Sequence, residues 1–207
     1  MILVDIGNSY FHIYDGEKVE HLTYKDAIEK YVQKELYYIS VKYELEEKII
    51  KMKNWKNISS LMKIEGEYDT MGVDRKALCL SHEDGIFVDA GSAITVDVVE
   101  AGRYVGGFIL PGIKAYLQSY KSISPVLDIS LDIALKLEEL PTTTKEQISY
   151  GIIASIKALI EQHSKGKTLY FTGGDGKFLS NYFDNAHYDE TLVFQGIQKA
   201  IKDKKIC

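Results

Sequence analysis

The chain has 207 residues, 45% of them hydrophobic, and sets 25 Lys and Arg against 30 Asp and Glu for a net charge of −5. That excludes a disordered chain and, with no basic excess or stripe, argues against a nucleic-acid partner. Cys79 and Cys207 are the only cysteines, too few for a disulfide framework. With no apolar run near about 18 residues and no basic leader ahead of Ile2, a soluble cytoplasmic protein without a membrane partner is expected.

Ile2-Leu3-Val4 reads as a short buried strand ending at Asp5. Residues 10–14, rich in aromatic and β-branched side chains, and residues 18–23 complete a three-stranded meander. Residues 36–41 form another strand, followed by a charged helical stretch over 43–51, and residues 73–81 read as a helix. Ile86-Phe87-Val88 ends at Asp89, residues 94–99 make the next strand, and residues 104–110 a third that Pro111-Gly112 stops. Residues 144–163 are a long amphipathic helix with Ile148, Ile152, Ile156 and Leu159 on one face. Residues 168–171 form a strand, Gly173-Gly174 a turn, and a helix follows; Asp203-Lys204-Lys205 reads as a solvated tail. Strands alternating with helices predict an α/β fold. No Gly-, Ser- or Pro-rich linker exists, so the boundary between two lobes, placed at 1–80 and 81–207, falls inside structured chain.

The two β openings repeat. Ile2-Leu3-Val4-Asp5-Ile6-Gly7-Asn8-Ser9 and Ile86-Phe87-Val88-Asp89-Ala90-Gly91-Ser92 share a buried strand, an Asp, a Gly two residues later and a small polar residue before a second strand. Two copies indicate a duplicated domain rather than a solenoid. Gly at such a turn lets backbone approach a ligand, and successive N–H groups form an anion nest. The hydroxyls of Ser9 and Ser92 add donors, and a strand-end Asp can hold a cation or its water. Two facing hairpins of this kind can clamp a polyphosphate and its metal; taken singly, each is more often an ordinary hairpin.

Other chemistries lack their residues. Gly166-Lys167-Thr168 mimics the end of a Walker A loop, but position 161 is Glu161 and the tripeptide precedes a strand instead of following one. There is no G-x-G-x-x-G, and His12, His21, His82, His163 and His187 show no zinc-ligand spacing.

Asp5-Ile6-Gly7-Asn8-Ser9 resembles the phosphate motif of the acetate and sugar kinase, Hsp70 and actin superfamily. Gly72-Val73-Asp74-Arg75, the run Asp89-Ala90-Gly91-Ser92-Ala93-Ile94-Thr95-Val96-Asp97 and Gly106-Gly107-Phe108-Ile109-Leu110-Pro111-Gly112 narrow it. With Thr144 and Thr172-Gly173-Gly174-Asp175, in this order, they look like a type III pantothenate kinase, over nearly the whole chain. The resemblance implies duplicated ribonuclease-H-like (actin-like ATPase) lobes with ATP in a cleft between them, and a homodimer with pantothenate near its interface. It also implies magnesium, a monovalent cation (potassium or ammonium), and ATP-dependent phosphorylation of pantothenate, the first step toward coenzyme A. A non-catalytic nucleotide-binding regulatory module of the same fold, and a kinase for another small hydroxylated acceptor, are the alternatives.

By the same resemblance, Asp74 is the catalytic base, accepting the proton of the pantothenate hydroxyl as it attacks the γ-phosphoryl group. Arg75 is one of two arginines, with Arg103; its planar fork suits a carboxylate or amide oxygen. Tyr68, Gly72, Val73 and Thr144 join it in the substrate pocket. Thr144 is equally a helix N-cap with Glu146 in the first turn, and Asp74-Arg75 on spacing alone is a helix-start cap beside a surface arginine. Asp89 matches the monovalent-cation ligand. Asp5, Ile6, Gly7, Asn8, Ser9, Tyr10, Phe11, His12 and Ser92 are expected at the phosphates or the magnesium shell, and Gly173 and Gly174 near adenine or ribose. Ser9 and Ser92 replace the family's frequent Thr, His12 stands where a basic residue often occurs, and the stretch between Tyr43 and Tyr68 is trimmed.

Overall fold

A computed structural model describes residues 1–42, 45, 49 and 51–204. The charged stretch over 43–51 lies largely outside the described residues, as does Lys205. In chain order the elements are β1 (Ile2–Ile6), β2 (Phe11–Tyr14), β3 (Val19–Leu22), α1 (Tyr24–Tyr31), β4 (Leu36–Ser40), β5 (Trp55–Asn57), α2 (Val73–Leu80) and β6 (Gly85–Ala90). Then come β7 (Ala93–Glu100), β8 (Arg103–Pro111), α3 (Ile113–Ile123), α4 (Thr144–Ser164), β9 (Leu169–Thr172), α5 (Gly176–Ser180), β10 (Ala186–Tyr188) and α6 (Leu192–Asp203).

The repeat seen in the sequence extends to topology. One sheet runs β3-β2-β1-β4-β5 and the other β8-β7-β6-β9-β10, the same order strand for strand. In the first, β1 pairs antiparallel with β2 and parallel with β4; in the second, β6 pairs parallel with β9 and β9 with β10. Central parallel strands are covered on both faces and read as continuous apolar runs. Leu3, Val4 and Ile6 of β1 and Ile86, Phe87 and Val88 of β6 are accordingly fully buried.

The chain divides into two compact units that interleave in sequence: Met1–Asp84, Val98–Gly106 and Glu190–Cys207 form one, Gly85–Asp97 and Gly107–Asp189 the other. The C-terminal helix α6 therefore belongs with the N-terminal sheet. In the first unit Val4, Ile6, Phe11, Ile13, Leu36 and Trp55 share a core with Ala27 and Tyr31 of α1. Thr23 caps α1, accepting from the Asp26 N–H and donating to its carboxylate at 2.7 Å. In α6, Leu192, Val193, Phe194, Ile197, Ala200 and Ile201 are buried. Gly196 sits so close to α2 that a Cβ there would overlap the Ala77 carbonyl oxygen. This glycine sets how closely α6 backs the helix that carries Asp74 and Arg75.

In the second unit α4 buries Ile148, Ser149, Ile152, Ile153, Ile156 and Ile160. Leu159, expected on that face, is half-buried and Ile160 takes its place. Among the described residues no helix is long and apolar enough to cross a membrane.

Candidate active site

In the first unit, β1 delivers buried Asp5 to the sheet end, where Gly7 opens the turn into β2 by donating its N–H to the Tyr10 carbonyl at 3.1 Å. A Cβ on Gly7 would meet nothing closer than 3.5 Å. The protein's own packing therefore does not demand glycine there, as a close ligand would. Asn8, Ser9 and Tyr10 are exposed. Ile6 and Phe11 are fully buried and are register partners at the end of the β1–β2 ladder, with the Ile6 carbonyl accepting from the Val41 N–H at 3.3 Å, so they frame the turn.

His12 pairs across β2 with Asp5 on β1 and His21 on β3, which puts the three side chains on one face of the sheet. Its Nδ1 lies 2.6 Å from Nδ1 of His21, so one ring donates and the other accepts. Burial, reinforced by His21, lowers the His12 pKa to about 4. The ring is thus neutral at neutral pH and brings no charge to the turn.

Gly72 is the N-cap of α2 and Asp74 lies in its first turn. A Cβ on Gly72 would sit 2.5 Å from Asp74 Oδ1. Glycine here leaves room for the carboxylate to fold back over the helix start, where Oδ1 accepts the Arg75 N–H at 2.8 Å. Burial pushes the Asp74 carboxyl above the usual range, and the Arg75 N–H and guanidinium offset this only in part. The simple cap-and-surface reading fails on both counts: the cap is Gly72, and Arg75 is 7% exposed. Arg75 donates to the Tyr68 hydroxyl at 2.6 Å, with its guanidinium carbon 5.9 Å from that ring's centroid. The segment carrying Tyr68 is tied to α2 by a Lys76–Glu67 ion pair at 2.9 Å. Tyr68, Gly72, Asp74 and Arg75 thus form one cluster, with Val73 between them in the first turn of α2.

In the second unit, Asp89 and Thr172 are register partners on β6 and β9. Gly173 follows with φ of +84°, and a Cβ there would overlap Asp89 Oδ1. The Asp175 N–H donates to the Ala90 carbonyl at 2.9 Å, fastening this turn onto β6. Burial raises the Asp175 carboxyl. Gly112 packs on the Gly91–Ser92 turn, its N–H donating to the Ser92 carbonyl at 3.2 Å, and a Cβ there would overlap the Gly91 oxygen. By contrast Gly174 has nothing within 4 Å of its Cβ position, and Gly91 nothing closer than 3.9 Å. The glycine pairs divide: Gly112 and Gly173 are required by the fold, whereas Gly91 and Gly174 leave space.

Thr144 is not the cap of α4. Thr143 is: its Oγ1 accepts from the Glu146 N–H and donates to the Glu146 carboxylate at 2.7 Å, so cap and first-turn acid hold each other. Adjacent threonines make that choice unreadable from spacing. The exposed Thr144 is released from capping and keeps its hydroxyl for another partner.

A strand-end Asp next to a glycine-opened turn, built twice on sheets of identical order, defines the duplicated α/β fold of the sugar-kinase and actin-like ATPase superfamily. A candidate 2-dehydro-3-deoxygalactonokinase from Sinorhizobium meliloti shares that fold, with a TM-score of 0.57 at 10% identity, over 98% of this chain and 96% of its own. The model of the type III pantothenate kinase family matches residues 48–165, a span that includes Asp74, Arg75, Asp89, Ser92 and Thr144. Type III pantothenate kinases from Campylobacter jejuni and Wolinella succinogenes are 41% and 42% identical over 203 and 207 residues. The alignments cover 98% and 99% of this chain and 97% and 98% of theirs. A solved Campylobacter jejuni protein, described as a candidate Baf-family transcriptional activator, superimposes with a TM-score of 0.91 at 40% identity over the full length of both. The chain belongs to the type III pantothenate kinase family.

Proposed function

We propose that the protein transfers the γ-phosphoryl group of ATP to the primary hydroxyl of pantothenate, giving 4′-phosphopantothenate at the first step of coenzyme A biosynthesis. The observation that carries this is the Asp74–Arg75 pair at the start of α2, a half-buried carboxylate next to a buried arginine whose guanidinium is held by Tyr68, which a nucleotide sensor does not need. Asp74 accepts the hydroxyl proton as the oxygen bonds to phosphorus and ADP departs. Arg75, held by Tyr68, presents planar donors to the acceptor's carboxylate or amide oxygens, and Thr144 offers a hydroxyl to the same substrate. Gly7, Asn8, Ser9 and Ser92 engage the phosphates, and Asp5 the magnesium shell beside them. The main chain of Ile6, Tyr10 and Phe11 completes the turn, with Gly173 and Gly174 at adenine or ribose.

The oxygen donors present suit hard cations. Among the described residues no group of three or more His, Cys, Asp or Glu side chains could cage a metal. Magnesium would be held largely by water and phosphate oxygens, and potassium or ammonium at Asp89. When bound, such ions neutralise phosphate charge. We place the enzyme in the cytoplasm as a homodimer without nucleic-acid or membrane partners. The dimer is supported by apolar side chains of the second unit left bare: Ile123, Val126, Ile133 and Leu140 are 72–81% exposed.

The rival, a non-catalytic regulatory module, takes its support from the description of the solved Campylobacter jejuni neighbour. Asp74→Asn separates the two. The kinase reading expects turnover to collapse with ATP binding retained, whereas full activity of that variant removes Asp74 as the base. A kinase for another hydroxylated acceptor is distinguished by substrate profiling.

A further inference from the structure

The turn after β1 is held from behind by two side chains that belong to neither hairpin motif. Tyr24, at the start of α1, donates its hydroxyl to the carbonyl oxygens of Gly7, at 3.0 Å, and Asn8. Lys42, two residues past β4, donates from Nζ to the Asn8 carbonyl at 3.2 Å, and its Nζ lies 4.7 Å from the centroid of the Tyr24 ring. Both carbonyls of the turn are thereby drawn to one side. In a planar trans peptide the C=O and the following N–H point in opposite directions, so the N–H groups of Asn8 and Ser9 are directed to the other side, as an anion nest requires.

A phosphate at this turn is bound more strongly where a cationic donor stands beside it, and His12 does not supply one. Its Nδ1 is engaged by His21, and its ring is neutral at neutral pH. The ammonium beside the turn is that of Lys42, and among the described residues no carboxylate forms an ion pair with it. Its resting partner is a neutral carbonyl. A phosphate oxygen offers a charge-assisted bond roughly twice as strong, so an arriving polyphosphate draws the ammonium toward itself.

We propose that Lys42 is the cationic phosphate ligand of the β1–β2 turn, and that Tyr24 is the positioning residue that keeps the N–H groups of Asn8 and Ser9 aimed at the same phosphate. This rests on the reading of the protein as an ATP-dependent kinase. It gives Lys42 the charge that the resemblance had looked for at position 12.

The test is steady-state kinetics on the full-length enzyme, with calorimetric titration of ATP and a thermal melt for each variant. Lys42→Gln is expected to raise the KM for ATP about tenfold, the loss of one charge-assisted bond, while the KM for pantothenate and the melting temperature stay put. Lys42→Arg is expected to recover most of the loss. The KM for ATP of the native enzyme should rise with ionic strength more steeply than that of Lys42→Gln. Tyr24→Phe keeps the ring against Phe11 and should weaken ATP binding without affecting pantothenate. Native ATP affinity in Lys42→Gln overturns the proposal, as does an equal loss of both substrates, which marks a merely structural lysine. Absence of ATP binding by the native protein overturns the kinase reading and this proposal with it.

Discussion

A methyl group has opposite consequences at two adjacent glycines after β9. Gly173 is left-handed, with φ of +84°, and an added Cβ would overlap Asp89 Oδ1 and lie 2.6 Å from the Ala90 carbonyl oxygen. The left-handed region costs an L-residue about 1–2 kcal/mol. Crowding against a strand-end carbonyl, fixed by its bond from the Asp175 N–H, adds about 1–3 kcal/mol. Gly173→Ala is therefore expected to lose about 2–5 kcal/mol. At about 2–4 °C per kcal/mol for a chain of this size, the melting temperature falls by roughly 4–20 °C. Gly174 has nothing within 4 Å of its Cβ position, so Gly174→Ala should melt within a degree or two of native or slightly above it, by about 0.4–1 kcal/mol. If that space admits adenine or ribose, Gly174→Ala raises the KM for ATP despite its native stability. Scanning fluorimetry and ATP kinetics on both variants read this directly. Equal melting losses would refute the space argument, and a native KM for ATP in Gly174→Ala would refute the nucleotide contact.

Four further outcomes are expected. Because burial raises the Asp74 carboxyl, kcat/KM, which reports ionisations of the free enzyme, should fall with acidification from a higher pH than an ordinary aspartate gives. Asp74→Asn, which keeps the acceptor for the Arg75 N–H but removes the buried charge, should melt at or above native at pH 7; a clear drop there contradicts the assignment. His12 has its pKa lowered from 6.5 to about 4, so the folded state binds fewer protons than the unfolded one between those values. Its stabilising contribution is complete above about pH 6.5 and is lost as pH falls toward 4. A His12→Asn variant should lose that part of the acid sensitivity in melts across this window. Gly196→Ala gains up to about 1 kcal/mol of helix propensity, but it drives a methyl into the Ala77 carbonyl oxygen at a cost of about 1–3 kcal/mol or more. A lower melting temperature is expected; an unchanged or raised one would mean that α6 can retreat freely from α2.

The strands were legible because their signal is local. β1 and β6 are apolar runs closed by Asp and Gly, and the likeness of the two runs anticipated two sheets of one topology. Elements whose evidence lies in partners escaped. α1 fully buries only Ala27 and Tyr31, with Tyr24 and Ile28 partly buried against the same core, and α3 fully buries only Ile113; both carry apolar side chains at helical spacing, but tyrosines dilute the stripe and the sequence reading leaves both helices unassigned. β5 and β10 are three-residue edge strands with exposed positions such as Lys56 and His187. α6 carries a clear stripe, Leu192, Val193, Ile197 and Ile201, that the sequence reading leaves unassigned. Its service to α2 depends on one glycine whose meaning is tertiary. At the site, Gly72 to Arg75 was legible because its residues are contiguous. The His12–His21 contact depends on strand register, and Tyr24 and Lys42 reach the turn from two different elements, which no local spacing encodes.

The most direct test of the central claim is ATP turnover by the purified protein with and without pantothenate, in potassium and again in sodium, with the product weighed by mass spectrometry. Pantothenate-dependent ADP release, a product of 4′-phosphopantothenate mass and stimulation by potassium are expected. ATP binding with no turnover that depends on pantothenate would contradict the account and leave a nucleotide-binding protein of another function on the same fold.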